Sequence, residues 1–183
     1  MRGYFGIGVE GVSKAMNVGS LLRTAHAFGA SFVFTVAATY RRDEGGRADT
    51  SDTPGSVPFY AYHSVEQLRL PHGCALVGVE IADDAIDLPS FRHPRCAAYV
   101  LGPERGALSA QMTALCEHVV RIPTRFSINL ALAGALVMYD RLISLGRFAD
   151  RGVAVGAAPV ALPKHAFGPP RLKRRGAASK PKA

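Results

Sequence analysis

The sequence predicts an α/β fold, a mostly parallel sheet flanked by helices. Three observations carry this. Short apolar runs of strand length alternate along the chain with segments of helical periodicity. Gly-Pro and Pro punctuation closes two of those runs, at Leu101-Gly102-Pro103 and at Ile122-Pro123. The 183 residues are 48% hydrophobic and 20% charged, enough apolar material for one domain with a sizeable core.

Strands are expected over 4–9, 32–37, 74–80, 97–101 and 118–122, and helices over 17–28, 64–70, 108–116 and 127–146. The first strand contains Gly6-Ile7-Gly8-Val9-Glu10-Gly11, which spells the dinucleotide fingerprint GxGxxG. Only five residues precede it, VSKAM intervenes before the helix, and no acid occurs between Gly11 and Asp43. The motif therefore reads as a glycine-rich strand, and an NAD-dependent oxidoreductase is the weaker reading.

In helix 17–28, Leu21, Ala25 and Phe28 share one face and Gly29 is placed to stop the helix. Asn17 is a candidate cap. Arg23 lies opposite the apolar stripe, one turn after Gly19. Gly19 is expected to leave open space through which Arg23 reaches a phosphate or a ribose. Residues 38–58 are polar, long and without periodicity, and Arg41, Arg42 and Arg47 make them a candidate substrate-facing loop, a plain solvated loop being the alternative. Strand 97–101 runs into LGPERGAL, a tight turn that bares backbone N–H and C=O groups. Pro123 ends strand 118–122 by holding Ile122 extended, Ser127 is placed as an N-cap, and Asn129 falls in the first turn of the last helix. That helix is apolar almost all round and rich in small residues (Ala131, Ala133, Gly134 and Ala135), so a second subunit is its expected cover and the chain is expected to be a homodimer.

The formal net charge is +8, and it is unevenly placed. Residues 164–183 hold seven Lys and Arg and no acid, leaving 15 basic and 14 acidic side chains in the other 163 residues. The expected organisation is a folded body over 1–150, a Gly/Ala/Pro linker over 151–163 and a flexible basic tail over 164–183, in which Lys173, Arg174 and Arg175 suit a polyanion such as RNA. The three cysteines, Cys74, Cys96 and Cys116, lack CxxC spacing, and no His pairs with them at ligand spacing. A disulfide framework and a metal site are therefore not expected, and a reducing cytoplasm is. No run reaches the length of a membrane span, and the N-terminus lacks the pattern of a secretory signal, so no membrane partner is expected.

Together and in this order, NxGxxxRTAxAFG (17–29), LGPERGxL (101–108) and IP…SINL (122–130) resemble the SpoU–TrmH branch of the SPOUT RNA methyltransferases, over about residues 4–145. The resemblance implies transfer of a methyl group from S-adenosyl-L-methionine (AdoMet) to a ribose 2′-hydroxyl of RNA, with S-adenosyl-L-homocysteine as product. It also implies a C-terminal trefoil knot, an exception to unknotted topology, and a homodimer. It places Leu101, Gly102, Gly106, Ile122, Ser127 and Leu130 at the cofactor, with Glu80 and Ile81 at the rim. It places Ser127 and Asn129 near the transferred methyl, and makes Glu104 and Asn17 a polar pair that shapes the site. Arg23 becomes the residue that handles the 2′-hydroxyl and contacts RNA. A tRNA is favoured over rRNA because a small dimer without added domains suits a compact substrate. The alternatives are a base-directed methyltransferase and an RNA-binding protein without catalysis. Two departures stand out: the segment between Pro123 and Ser127 is only Thr124-Arg125-Phe126, without the family's usual Met, and Ala131 follows Leu130 where many members carry Ser.

Overall fold

The two glycines of the first strand have a packing reason. β1 (Tyr4–Glu10) pairs in parallel with β2 (Phe32–Val36), setting Gly6 beside Phe32 and Gly8 beside Phe34. A Cβ on Gly6 would lie 2.2 Å from the Phe32 ring, and one on Gly8 would lie 2.5 Å from both the Phe34 ring and its carbonyl oxygen. The GxGxxG spelling thus makes room for aromatic side chains. Gly8→Ala is expected to destabilise the protein by about 1–3 kcal/mol through overpacking, measured by urea unfolding. Unchanged stability would contradict this packing account.

The computed structural model describes residues 3–40, 56–146 and 148. Besides β1 and β2, its strands are β3 (Phe59–Tyr62), β4 (Ala75–Val79), β5 (Ile86–Asp87), β6 (Cys96–Leu101) and β7 (His118–Arg121). They form one sheet in the order β3-β2-β1-β6-β4-β7-β5, and every pairing is parallel. A parallel sheet must be covered on both faces. α1 (Ala15–Phe28) and α3 (Leu130–Leu145) cover one, around Ile7, Val9, Leu21, Tyr99 and Val137. The other packs Phe32, Phe34, Val100 and Leu108 against Met112 of α2 (Ala110–Leu115). These elements belong to one compact unit, Met1–Phe148. The expected linker and tail, and with them Lys173, Arg174 and Arg175, lie outside the described residues, as do Arg41, Arg42 and Arg47. Among the described residues no helix is long and apolar enough to cross a membrane.

Several element boundaries differ from the sequence reading. The helix expected over 64–70 is a single 3-10 turn, Val65–Gln67. Pro71 disfavours helical backbone just before it, and the Arg69 side chain donates instead to the carbonyls of Glu66 and Leu68. α1 begins two residues earlier than expected, so Asn17 lies inside its first turn and does not cap it. Its other end follows expectation: Gly29 takes a left-handed conformation (φ 72°) and its N–H returns to the last turn. Ser127 does not cap the last helix. Asn129 does, its side-chain oxygen accepting from the N–H groups of Ala131 (2.9 Å) and Leu132 (3.4 Å). The turn after Pro123 keeps residues 123–128 out of the helix.

α3 is not covered on every side. Leu130, Gly134, Val137 and Met138 are buried, with Gly134 so close to α1 that a Cβ there would lie 2.5 Å from Leu21. Leu132, Leu136, Tyr139 and Ile143, at helical spacing, form an exposed apolar stripe. Arg141 is buried on the sheet side, its guanidinium donating to the carbonyls of Pro94 (2.6 Å) and Arg95 (2.7 Å) and to the Tyr99 hydroxyl (3.1 Å).

Candidate functional site

Because the strands run parallel, β1, β4 and β6 all end at one edge of the sheet, where ligands of open α/β folds gather. Three carboxylates there organise the loop that follows β6. Glu10, the last residue of β1, is buried and accepts from the Ser109 N–H (2.9 Å) and hydroxyl (2.6 Å). Glu80, just past β4, accepts from the N–H groups of Leu108 (2.9 Å) and Ile81 (2.8 Å). Gly102 permits this approach, since a Cβ there would lie 3.0 Å from a Glu80 carboxylate oxygen and 3.1 Å from the Leu108 nitrogen. Gly106 turns the loop with φ +102°, a conformation that glycine accepts at little cost.

Glu104, within this loop, reaches across to the start of α1. Its carboxylate accepts from the Ser13 N–H (3.1 Å) and hydroxyl (3.2 Å), the Lys14 N–H (3.0 Å) and the Asn17 side-chain amide (2.9 Å). It therefore does from a distant segment what an N-cap side chain does locally, and its charge suits the positive end of the helix. Partial burial pushes the Glu104 carboxyl up, but the donors from Ser13, Asn17 and Lys14 outweigh it and hold the pKa below the ordinary glutamate value. Asn17 in turn accepts from the Asn129 amide (3.1 Å), and Asn129 caps α3. A continuous hydrogen-bonded path thus joins the segments 13–17, 102–109 and 127–132, which are far apart in sequence.

Beside this path lies a pocket of ≈ 180 Å³. All eight residues expected at a cofactor line it: Glu80, Ile81, Leu101, Gly102, Gly106, Ile122, Ser127 and Leu130. Glu104 lines it as well. Asn17 and Asn129 are tied to it through Glu104 and are not part of its wall. Arg23 is exposed on α1 and does not line it. Gly19 is buried, so the expected opening beside Arg23 is absent. Of the groups that organise the site, Glu10 went unnoticed in the sequence because the GxGxxG spelling absorbed it. An acid ending a buried strand was the available signal.

The chain is an α/β domain whose pocket lies at the carboxyl ends of parallel strands. Residues 5–139 match the model of the SpoU rRNA Methylase family, and the chain belongs to that family. Among curated proteins it is 31% identical over 144 residues to the 23S rRNA (guanosine-2'-O-)-methyltransferase RlmB of Nitrosomonas europaea, a match covering 72% of this chain and 53% of that protein. The chain thus spans about half the length of that relative. Among solved structures it is similar to the AdoMet-bound rRNA methyltransferase of Sinorhizobium meliloti, with TM-score 0.71 and 22% identity over 80% of this chain and 59% of that one. It is also similar to a chain whose structure concerns the 2-OH methylation of C/U34 on tRNA, with TM-score 0.69 and 21% identity over 79% of this chain and 98% of that one.

Proposed function

We propose that this protein transfers a methyl group from AdoMet to a ribose 2′-hydroxyl of RNA, releasing S-adenosyl-L-homocysteine, with tRNA preferred over rRNA. One observation carries the reading: three distant segments are tied by the Glu104–Asn17–Asn129 path around a single pocket. The pocket suits the cofactor, with Leu101, Ile122 and Leu130 as apolar walls for a flat base. Gly102 and Gly106 leave the loop backbone unshielded beside it. In this reading Glu80, Ile81 and Ser127, which line the pocket, contact the cofactor, and Asn129, outside the wall, acts near the transferred methyl. The tRNA preference draws support from the structural neighbour concerned with 2-OH methylation on tRNA, almost all of which this chain spans.

AdoMet supplies a methyl group already activated by its sulfonium, leaving orientation and charge stabilisation to the protein. Arg23 holds the phosphate next to the target and stabilises the developing alkoxide electrostatically, because a guanidinium keeps its proton and makes a poor base. Glu104, Asn17 and Asn129 fix the start of α1, and so set where Arg23 stands. Arg41, Arg42 and Arg47, with Lys173, Arg174 and Arg175 of the basic tail, add phosphate contacts. The reading includes a C-terminal trefoil knot, a body over 1–150 followed by linker and tail, and a cytoplasmic location.

The reading also includes a homodimer that covers the exposed Leu132, Leu136, Tyr139 and Ile143 stripe. Leu136→Glu, on an already exposed position, is expected to give a folded monomer by sedimentation velocity. A monomeric wild type would refute the dimer. Calorimetric titration tests the cofactor: AdoMet should bind and NADH should not, and no AdoMet binding at micromolar protein would favour an RNA-binding protein without catalysis.

A further inference from the structure

The turn 124–128 beside the pocket carries side chains that the cofactor reading does not use. Thr124, Ser127 and Ile128 line the pocket, while Arg125 and Phe126 between them face solvent. Phe126 is 75% exposed, more than any other large apolar side chain among the described residues. Its turn is fixed: the Thr124 hydroxyl lies 2.9 Å from the Phe126 carbonyl oxygen and 3.3 Å from that of Ile122, and the Thr124 N–H donates to Ile122 at 2.7 Å. An aromatic ring held in water on a tied turn loses little further freedom when something stacks on it. Lys14, Arg105 and Arg125 are exposed as well, one on each of the three segments that meet at the site. The carboxylates of Glu80 and Glu104, at the same site, are engaged with N–H donors of the protein itself.

We infer that Lys14, Arg105, Arg125 and Phe126 form a lip that grips single-stranded RNA at the pocket mouth. Phe126 stacks on an unpaired base beside the target ribose, and the three cations hold the flanking phosphates. This inference rests on the methyltransferase reading above. A ring interleaved with cations matches single-stranded nucleic acid, whose bases offer free faces; in a duplex those faces are already stacked.

The test is fluorescence anisotropy with a labelled, mixed-sequence, single-stranded oligoribonucleotide, with AdoMet affinity and sedimentation measured on each variant. Phe126→Ala is expected to bind about tenfold more weakly. Phe126→Leu, which keeps apolar bulk without a ring, should be as weak, and Phe126→Tyr should restore binding. Arg105→Gln and Arg125→Gln should each flatten the dependence of log affinity on log salt by about 0.7. AdoMet affinity and oligomeric state should not change.

Equal binding by wild type and Phe126→Ala overturns the lip, as does full binding by Phe126→Leu. So does a change of oligomeric state in Phe126→Ala, which would place the ring between two copies of the chain. A wild type that ignores the oligonucleotide, or prefers duplex RNA, overturns it too. If wild type methylates RNA but Phe126 proves indifferent, the lip falls and the enzyme reading stands. If binding depends on Phe126 but no methyl is transferred, the lip stands and the reaction falls.

Discussion

Replacing Glu104 by alanine is expected to lower methyl transfer about 100-fold while costing only about 1–2 kcal/mol of stability. The two effects separate because of where the bonds are. Glu104 accepts from Ser13, Lys14 and Asn17, and Ser13 and Lys14 are exposed, so water replaces much of what is lost in free energy. Water does not restore position. Without the carboxylate, the bonds that tie the loop after β6 to Ser13, Lys14 and Asn17 at the start of α1 are lost, and the path through Asn17 to Asn129 is broken at its origin. Glu104→Gln, which keeps the volume and one acceptor, should fall between wild type and alanine. The same carboxylate gives a pH dependence. Its pKa in the folded protein lies below the ordinary glutamate value, so its stabilising contribution is full above that value and fades as pH falls through the lower, folded-state pKa. The difference in stability between wild type and Glu104→Ala should therefore shrink in acid. Equal activity of Glu104→Ala and wild type at neutral pH would refute the positioning role.

Arg23→Lys is expected to reduce turnover by about 100-fold with little change in AdoMet affinity. Lysine keeps the charge and loses the planar fork that holds a phosphate and a neighbouring oxygen together. Arg23 is exposed on α1 and outside the pocket wall, so the cofactor should bind the variant normally. Single-turnover assays with saturating RNA separate this from weaker substrate binding. Wild-type turnover in Arg23→Lys would remove Arg23 from the chemistry.

The residues that gather at the pocket were legible through the resemblance of the three motifs to the SpoU–TrmH family, which implies a role for each, and each wall residue expected from the three segments is present in one cavity. Contacts between segments were not legible. Nothing local says that Glu104 serves as cap for a helix that starts at Ala15, or that Asn129 rather than Ser127 caps α3. Both depend on which segments the fold brings side by side. The strand core was legible from apolar runs, whereas β3 and β5 were missed. β3 has four residues with two of them exposed and β5 only two, so neither shows a burial pattern. The buried Arg141 was hidden for a similar reason: its partners are the carbonyls of Pro94 and Arg95 and a tyrosine, all distant in sequence. Gly19 went the other way. A small residue one turn before an arginine suggested an opening, and Gly19 is buried.

The most direct measurement is incubation of the protein with RNA and methyl-labelled AdoMet, followed by digestion to nucleosides and chromatography. Label on a 2′-O-methylated nucleoside, absent when AdoMet is omitted and strongly reduced in Arg23→Lys, is the expected result. Label on a base, or none in the RNA at all, would contradict ribose methylation at this pocket.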